Sequence, residues 1–310
     1  MAQKTRQKTS AVEKKLVGMA DVVITAAQRS KDPTLSIPVR SLPNVTFNER
    51  KGIIEMGRKK QARSFFNVGM ARKFMQTILV ADALSELQRS NLTTSLREVY
   101  YRSKHTIDNS HENTFDSQNE SDPVIEDLEV TLDALREELH VRAENGGSLV
   151  GPLVLVDDGD RVDCTKLGKG GYSVPSIVEP ECLQIRKCTA DFVLLVEKGT
   201  QWNRLSEDKF WRRYNCILLT GNGQPPRGVR RLARRLHEEK RLPVYVLVDN
   251  DPWGYYIYSV IKQGSINLAF ESQRMAIPKA KFIGLSSADP EHYGLPRNVG
   301  IKLNDKDVNR

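Results

Sequence analysis

The chain has 310 residues, enough for more than one domain with its own core. Lys and Arg number 47 against 39 Asp and Glu, giving a net charge of +8 and a pI near 9.2, a balance that suits a polyanionic partner. No apolar run reaches the roughly 18 residues of a membrane span, Met1 to Gln7 is basic and polar with no apolar stretch after it, and Cys164, Cys182, Cys188 and Cys216 show neither CxxC pairing nor zinc-ligand spacing. Membrane, secreted disulfide-rich and zinc-module classes are thereby excluded, and a soluble intracellular protein is expected.

Residues 1 to 9 read as a basic tail. Ser10 and Glu13 form a capping box, and Val12, Leu16, Met19 and Val23 share one helical face, an arm suited to packing on a partner. Thr34 to Phe47 predicts extended chain and Gly52 to Met56 a short strand. The run Arg58, Lys59, Lys60, Arg63 follows, a solvated face or a contact to backbone phosphates. Residues 70 to 88 predict a long helix with Met70, Phe74, Ile78, Ala81 and Leu84 turned inward, then a polar turn over Arg89 to Thr94.

Ser95 and Glu98 form a second capping box, so a helix starts at Leu96. At 3.6 residues per turn Leu96, Val99 and Tyr100 share one side, while Arg97, Tyr101, Lys104 and His105 share another. Tyr100 therefore belongs to the core and Tyr101 is presented. A tyrosine between Arg97 and Lys104 sits in a positive field that favours phenolate and attracts phosphate. Spacing alone leaves two uses open: a nucleophile aimed at a phosphodiester, or a half-exposed tyrosine on a basic helix. Helix, turn, helix is also the outline of a helix-turn-helix unit.

Thr106 to Pro123 is polar and predicts an exposed loop; Leu128, Leu132, Leu135 and Leu139 predict an amphipathic helix over Val124 to Ala143, ended by Asn145-Gly146-Gly147. Leu153 to Val156, Asp157 to Asp160 and Arg161 to Cys164 predict strand, turn, strand. Gly168, Gly170 and Gly171 lack the Lys-Ser or Lys-Thr of a phosphate loop, so a tight hairpin is expected in place of an ATP site.

From Ala190 the pattern changes to an α/β alternation. Apolar runs Phe192 to Val196, Cys216 to Leu219 and Val244 to Val248 end in Glu197, in Thr220-Gly221-Asn222-Gly223 and in Asp249-Asn250-Asp251; a helix over Val229 to Arg241 lies between the last two. Continuous apolar strands between helices imply a parallel sheet covered on both faces, with functional groups beyond the strands' carboxyl ends. Glu197, Asp249 and Asp251 fall there. Either they hold a hard cation such as magnesium, or they cap strand ends for solubility. Arg227, Arg230, Arg231, Arg234 and Arg235 give that helix a basic face, solvated or set against a DNA backbone.

Glu197, Asp249-Asn250-Asp251-Pro252-Trp253-Gly254, Arg97-Glu98-Val99-Tyr100-Tyr101 and Thr220-Gly221-Asn222-Gly223-Gln224-Pro225-Pro226-Arg227 together resemble the A subunits of archaeal type IIB DNA topoisomerases, a family shared with the meiotic double-strand-break transesterases. The resemblance covers roughly residues 45 to 310. It implies an α/β multidomain chain: a basic arm and extended segment (1–65), a CAP-type winged-helix domain with the catalytic tyrosine (66–150), a β-rich connector (151–189) and a Toprim domain (190–310). It further implies Tyr101 as nucleophile, Arg97 beside it, and Glu197, Asp249 and Asp251 as ligands of Mg2+. The implied partners are double-stranded DNA, an ATP-binding B subunit, and a second copy of the chain, forming an A2B2 heterotetramer in an archaeal cytoplasm, associated with the nucleoid. Arg58, Lys59, Lys60, Lys104, Arg227, Arg230 and Arg231 are the expected DNA contacts. The alternatives within reach of the same residues are a transesterase that breaks DNA without strand passage and a Toprim nuclease. The family pattern also implies more chain than one ending at Arg310, just after Asn304 to Asp307 caps a new helix.

Overall fold

The computed structural model describes residues 10–142, 146–296, 298 and 300–308. The basic tail over 1 to 9, Ala143 and Asn145 lie outside them. The chain divides into two compact units, one made from the described residues of Met1–Asn44 and Met56–Ala143, the other from those of Val45–Glu55 and Glu144–Arg310. Among the described residues no helix is long and apolar enough to cross a membrane.

The first unit begins with α1 (Ala11–Gln28), capped by the Ser10 hydroxyl accepting the Glu13 N–H at 2.9 Å. Strand β1 (Thr34–Pro38) follows, then the excursion β2 (Val45–Asn48) and β3 (Ile53–Met56), and then β4 (Lys60–Ser64), which pairs antiparallel with β1. Of the segment expected as an arm, residues 10–44 and 56–65 belong to this unit and 45–55 to the second. Helix α2 (Val68–Ser90) is its hub, and α1, α3 (Leu96–Ser103) and α4 (Gln118–Leu132) all pack on it. Leu84 and Leu87 of α2, Val99 of α3 and Val124, Ile125 and Leu128 of α4 form the core. Met70, expected inward, is 38% exposed because it lies in the first turn of α2, before the helix meets its neighbours.

Two expectations change. Helix α4 starts six residues earlier than Val124 and carries Pro123 in its second turn, where the missing N–H leaves the Asn119 carbonyl without its helical partner. It ends at Leu132, where Asp133 takes a left-handed backbone (φ 44°). Leu135 and Leu139 keep their apolar periodicity and are buried, but from a separate turn that leads into β6 (Val141–Arg142), paired with β5 (Thr94–Ser95). The loop over 106–123 is also not simply exposed: Phe115 is fully buried, and the Thr114 hydroxyl donates to the Ser103 carbonyl at 2.8 Å.

A buried ionic cluster ties β4 and the chain just after β1 to α4. Asp127 accepts from Arg40 Nε at 2.7 Å and from Arg63 Nη2, and Arg63 Nη1 also donates to the Thr77 hydroxyl at 3.0 Å. Arg63 and Asp127 are both buried.

In the second unit, β7 (Ser148–Val150) leads to a three-stranded antiparallel sheet of β8 (Leu153–Asp157), β9 (Asp160–Asp163) and, after β10 (Tyr172–Ser173), β11 (Leu183–Cys188). The turn between β8 and β9 uses positive φ at both Asp158 and Gly159, the geometry that matches strand twist. The glycines at 168 to 171 do not close a hairpin; they carry the chain to β10, which pairs with β7. The main sheet has the order β10, β7, β13 (Cys216–Thr220), β12 (Phe192–Val196), β14 (Val244–Leu247), β15 (Lys281–Phe282). The last four run parallel, and β7 is antiparallel to its neighbours β13 and β10.

Alternation along these strands sorts side chains to opposite faces. Val193, Leu195, Ile217, Leu219 and Val246 meet α7 (Arg227–Lys240) and α8 (Pro252–Gln263); Leu194, Val196, Cys216 and Leu218 meet Trp202 of α5 (Gly199–Glu207) and Trp211 of α6 (Phe210–Arg213). Both faces are covered, as the unbroken apolar runs require. Short helices α9 (Ser272–Met275), α10 (Asp289–His292) and α11 (Asp305–Val308) complete the unit.

Replacing Asp127 by Ala leaves the Arg63 guanidinium buried without its carboxylate, a loss of about 3–5 kcal/mol. Thermal unfolding of Asp127→Ala is expected well below that of the parent; an unchanged midpoint would remove the ionic cluster from the account of the first unit's stability.

Candidate functional site

The first functional group lies on α3, whose start is fixed by the Ser95 hydroxyl accepting the Glu98 N–H at 3.2 Å. The helix phase then separates the two tyrosines. Tyr100 is buried and donates its hydroxyl to the Asp116 carbonyl at 3.3 Å. Tyr101 is 53% exposed, and Arg97, one turn earlier, donates to its phenol oxygen through Nε at 3.4 Å and Nη2 at 3.3 Å. A guanidinium aimed at a phenol oxygen stabilises negative charge there and leaves its other donors for a phosphate.

Lys104 does not join them. Helix α3 ends at Ser103, and Lys104 takes an extended backbone that swings its ammonium onto Tyr100, 3.0 Å from that hydroxyl. Extrapolating the helical face past its last residue placed Lys104 wrongly.

The second group lies beyond the carboxyl ends of β12 and β14, adjacent parallel strands with Val196 opposite Leu247. Glu197 donates its N–H to the Leu247 carbonyl at 2.9 Å, and its Oε2 accepts the Asp249 N–H at 3.0 Å. Burial raises the Glu197 pKa above the ordinary carboxylate value, with Asp249 and Asp251 adding repulsion. Asp251 caps α8, its Oδ1 accepting the Gly254 N–H at 2.7 Å. A Cβ at Gly254 would run into the Asp249 carbonyl, which is why the tight Asp-Pro-Trp-Gly turn needs glycine at its end.

Lys198, not anticipated from the sequence, forms an ion pair with Asp249, and this bond raises the lysine's own pKa. The sequence signal was a lysine directly after a strand-ending glutamate. The loop Thr220-Gly221-Asn222-Gly223 backs the same corner: Gly223 donates its N–H to the Glu197 carbonyl at 2.8 Å, and Asn222 donates its N–H to the Thr220 hydroxyl at 3.1 Å.

Among the described residues no group of three His, Cys, Asp or Glu side chains stands ready to hold a metal. The reason is local: each acid has a partner, Asp249 in Lys198, Glu197 in a backbone N–H, Asp251 in its own helix. The donor chemistry still fits a hard dication, because the acids are all oxygen ligands and a lysine ammonium already supplies the positive charge that their proximity calls for.

The expected DNA contacts divide. Arg58, Lys59 and Lys60 are exposed in the first unit, although the Lys59 ammonium donates to the Pro43 carbonyl at 3.4 Å. Arg227 and Arg230 are not on a solvated face. Both are buried and bind opposite oxygens of the buried Glu271, at 2.6 and 3.0 Å. Arg231 is held by Glu179 at 2.7 Å, and Arg235 pairs with Glu239 of its own helix and donates to the Leu183 carbonyl of β11 at 2.6 Å. These arginines act as struts between α7 and its neighbours and offer no open charge to a phosphate.

Three family models match consecutive stretches of the chain. One is "Type IIB DNA topoisomerase", over residues 72–141, and the next is "All-beta domain in DNA topoisomerase VI alpha subunit", over 143–189. The third, over 192–310, is the Toprim domain shared by topoisomerase 6 A subunits and Spo11. The four parallel strands of the main sheet thus belong to a Toprim domain, a domain type that implies a divalent metal. Among curated proteins, the A subunit of type 2 DNA topoisomerase 6 from Pyrococcus horikoshii is 45% identical over 94% of this chain and 76% of its own length. The proteins of the same name from Aeropyrum pernix and Methanocaldococcus jannaschii are 41% and 37% identical, over 93% and 96% of this chain and 78% and 79% of their own lengths. The chain belongs to the family of type 2 DNA topoisomerase 6 A subunits, the type IIB topoisomerases.

Proposed function

We propose that this chain is the DNA-cutting subunit of a type IIB topoisomerase and that Tyr101 is its nucleophile. The observation that carries the assignment is the contrast within the pair: Tyr100 is buried on Asp116, whereas Tyr101 is exposed with Arg97 on its phenol oxygen. In the proposed step the phenol oxygen bonds to phosphorus and gives up its proton, and the bond to the 3′ oxygen breaks, that oxygen taking a proton as it leaves. The product is a 5′-phosphotyrosyl link that the reverse reaction reseals. Arg97 stabilises the charge gathering on the phosphate.

Glu197, Asp249 and Asp251 are the proposed ligands of Mg2+, once Lys198 and the α8 cap yield them. When bound, the ion supplies positive charge to the phosphate and to the departing oxygen. The first unit serves as a CAP-type winged helix that presents Tyr101 to duplex DNA. Arg58, Lys59 and Lys60 lie on this unit as backbone contacts. Two such chains and an ATP-binding B subunit, arranged as A2B2 in the cytoplasm of an archaeon, complete the proposed enzyme, with the tyrosine of one copy of the chain working beside the metal of the other.

End-labelled duplex incubated with the chain, a B subunit, magnesium and a non-hydrolysable ATP analogue is expected to give protein-linked 5′ ends released by protease. Tyr101→Phe should abolish them with folding intact; adducts from that variant would remove Tyr101 as nucleophile. Calorimetric titration with Mn2+ tests the acidic site without turnover. Lys198→Met is expected to tighten binding by about fivefold, the worth of about 1 kcal/mol for a half-exposed ion pair, and Glu197→Gln to weaken it; equal affinities in all three proteins would argue against a metal there.

A further inference from the structure

The arginines of the buried side of α7 are spent on carboxylates. Arg227, Arg230, Arg231, Arg234 and Arg235 are each paired, and Glu238 and Glu239 are in turn taken by Arg234 and Arg235. Against that background one open cavity of about 480 Å³ is lined by His237, Arg241, Pro243, Lys279 and Lys281, with no acid among its lining residues. Among the described residues Arg241, Lys279 and Lys281 are exposed and have no carboxylate partner. Lys281 leans on the Tyr245 ring, 5.7 Å from its centre. His237 donates Nδ1–H to the Leu242 carbonyl at 2.7 Å, since a carbonyl only accepts, which leaves Nε2 free.

Cations at the end of α7 have an ordinary use in offsetting the helix dipole, and that accounts for His237 and Arg241. It does not account for Lys279 and Lys281, which arrive from the segment leading into β15. Like charges converging from two segments repel unless an anion joins them. The helix end is itself negative, so a single small anion gains little here; a ligand carrying many charges is favoured. The lining also lacks an apolar slot or a buried arginine fork of the kind that would select a nucleotide.

We propose that this cavity is a second contact for the phosphate backbone of duplex DNA, apart from the place of cleavage. It sits at the amino ends of the parallel strands, whereas the carboxylates sit at the carboxyl ends. From Pro243 to Asp249 the chain runs along β14 for about 20 Å at roughly 3.3 Å per residue. A phosphate here belongs to a part of the DNA distant from the one undergoing reaction. The inference rests on the proposed DNA-cutting role.

The test compares the full chain, the variant Arg241→Ala/Lys279→Ala/Lys281→Ala, and a control of equal net charge, Lys166→Ala/Lys169→Ala/Lys187→Ala, for binding to a duplex of about 60 base pairs across a salt series. The cavity variant should flatten the slope of log affinity against log salt by about 2 to 3 and weaken binding at least about tenfold near 0.1 M salt, while Tyr101 adducts at saturating DNA persist. A slope equal to that of the parent, or an equal loss in the control, overturns the second contact even where adducts form and leaves an acidic protein as the cavity's occupant. A parent chain that binds no duplex overturns both this inference and the cutting role.

Discussion

Two carboxylates at the ends of neighbouring strands repel each other, and the corner of the second unit around Glu197 and Asp249 is arranged to hold them against that repulsion. The strands cannot relax apart, because β12 is bonded on one side to β13 and on the other to β14, and both sheet faces are packed. The acids are therefore steadied from outside: Lys198 neutralises Asp249, a backbone N–H engages Glu197, and the start of α8 takes Asp251. The same logic explains the glycine at 254, where backbone must approach backbone for Asp251 to cap the helix and stay close to Asp249.

Much of this was legible in the sequence because it depends on short-range pattern. Unbroken apolar runs at Phe192, Cys216 and Val244 require burial on both faces, and parallel strands between helices are the arrangement that provides it. The Ser95 capping box fixed the phase of α3, so Tyr100 fell inward and Tyr101 outward without further information. The failures have two causes, partners far along the chain and helix ends that the apolar period does not mark. Arginines on α7 look solvated until Glu271 and Glu179 are known to face them. Leu135 and Leu139 continue a helical period although Asp133 has already ended the helix, since burial preserves the spacing after the backbone hydrogen bonds stop. Lys104 was misplaced by carrying a helical face one residue too far.

The two units solve the problem of charge in an apolar interior alike. In the first, Asp127 joins Arg40 and Arg63; in the second, Glu271 joins Arg227 and Arg230. In each, one carboxylate serves two guanidiniums, whose flat donor forks can share its oxygens where two ammonium groups would crowd. Arginine thereby has a structural use in the interior of both units.

The excursion of β2 and β3 gives the chain an unusual connectivity. The polypeptide leaves the first unit after Asn44, returns by Met56 and leaves again after residue 142, so three covalent crossings join the units in place of one. A single cut between residues 142 and 146 would leave them tethered through the hairpin's two arms. Neither unit corresponds to one uninterrupted stretch of gene, and any attempt to exchange or express one alone must take the hairpin with its host.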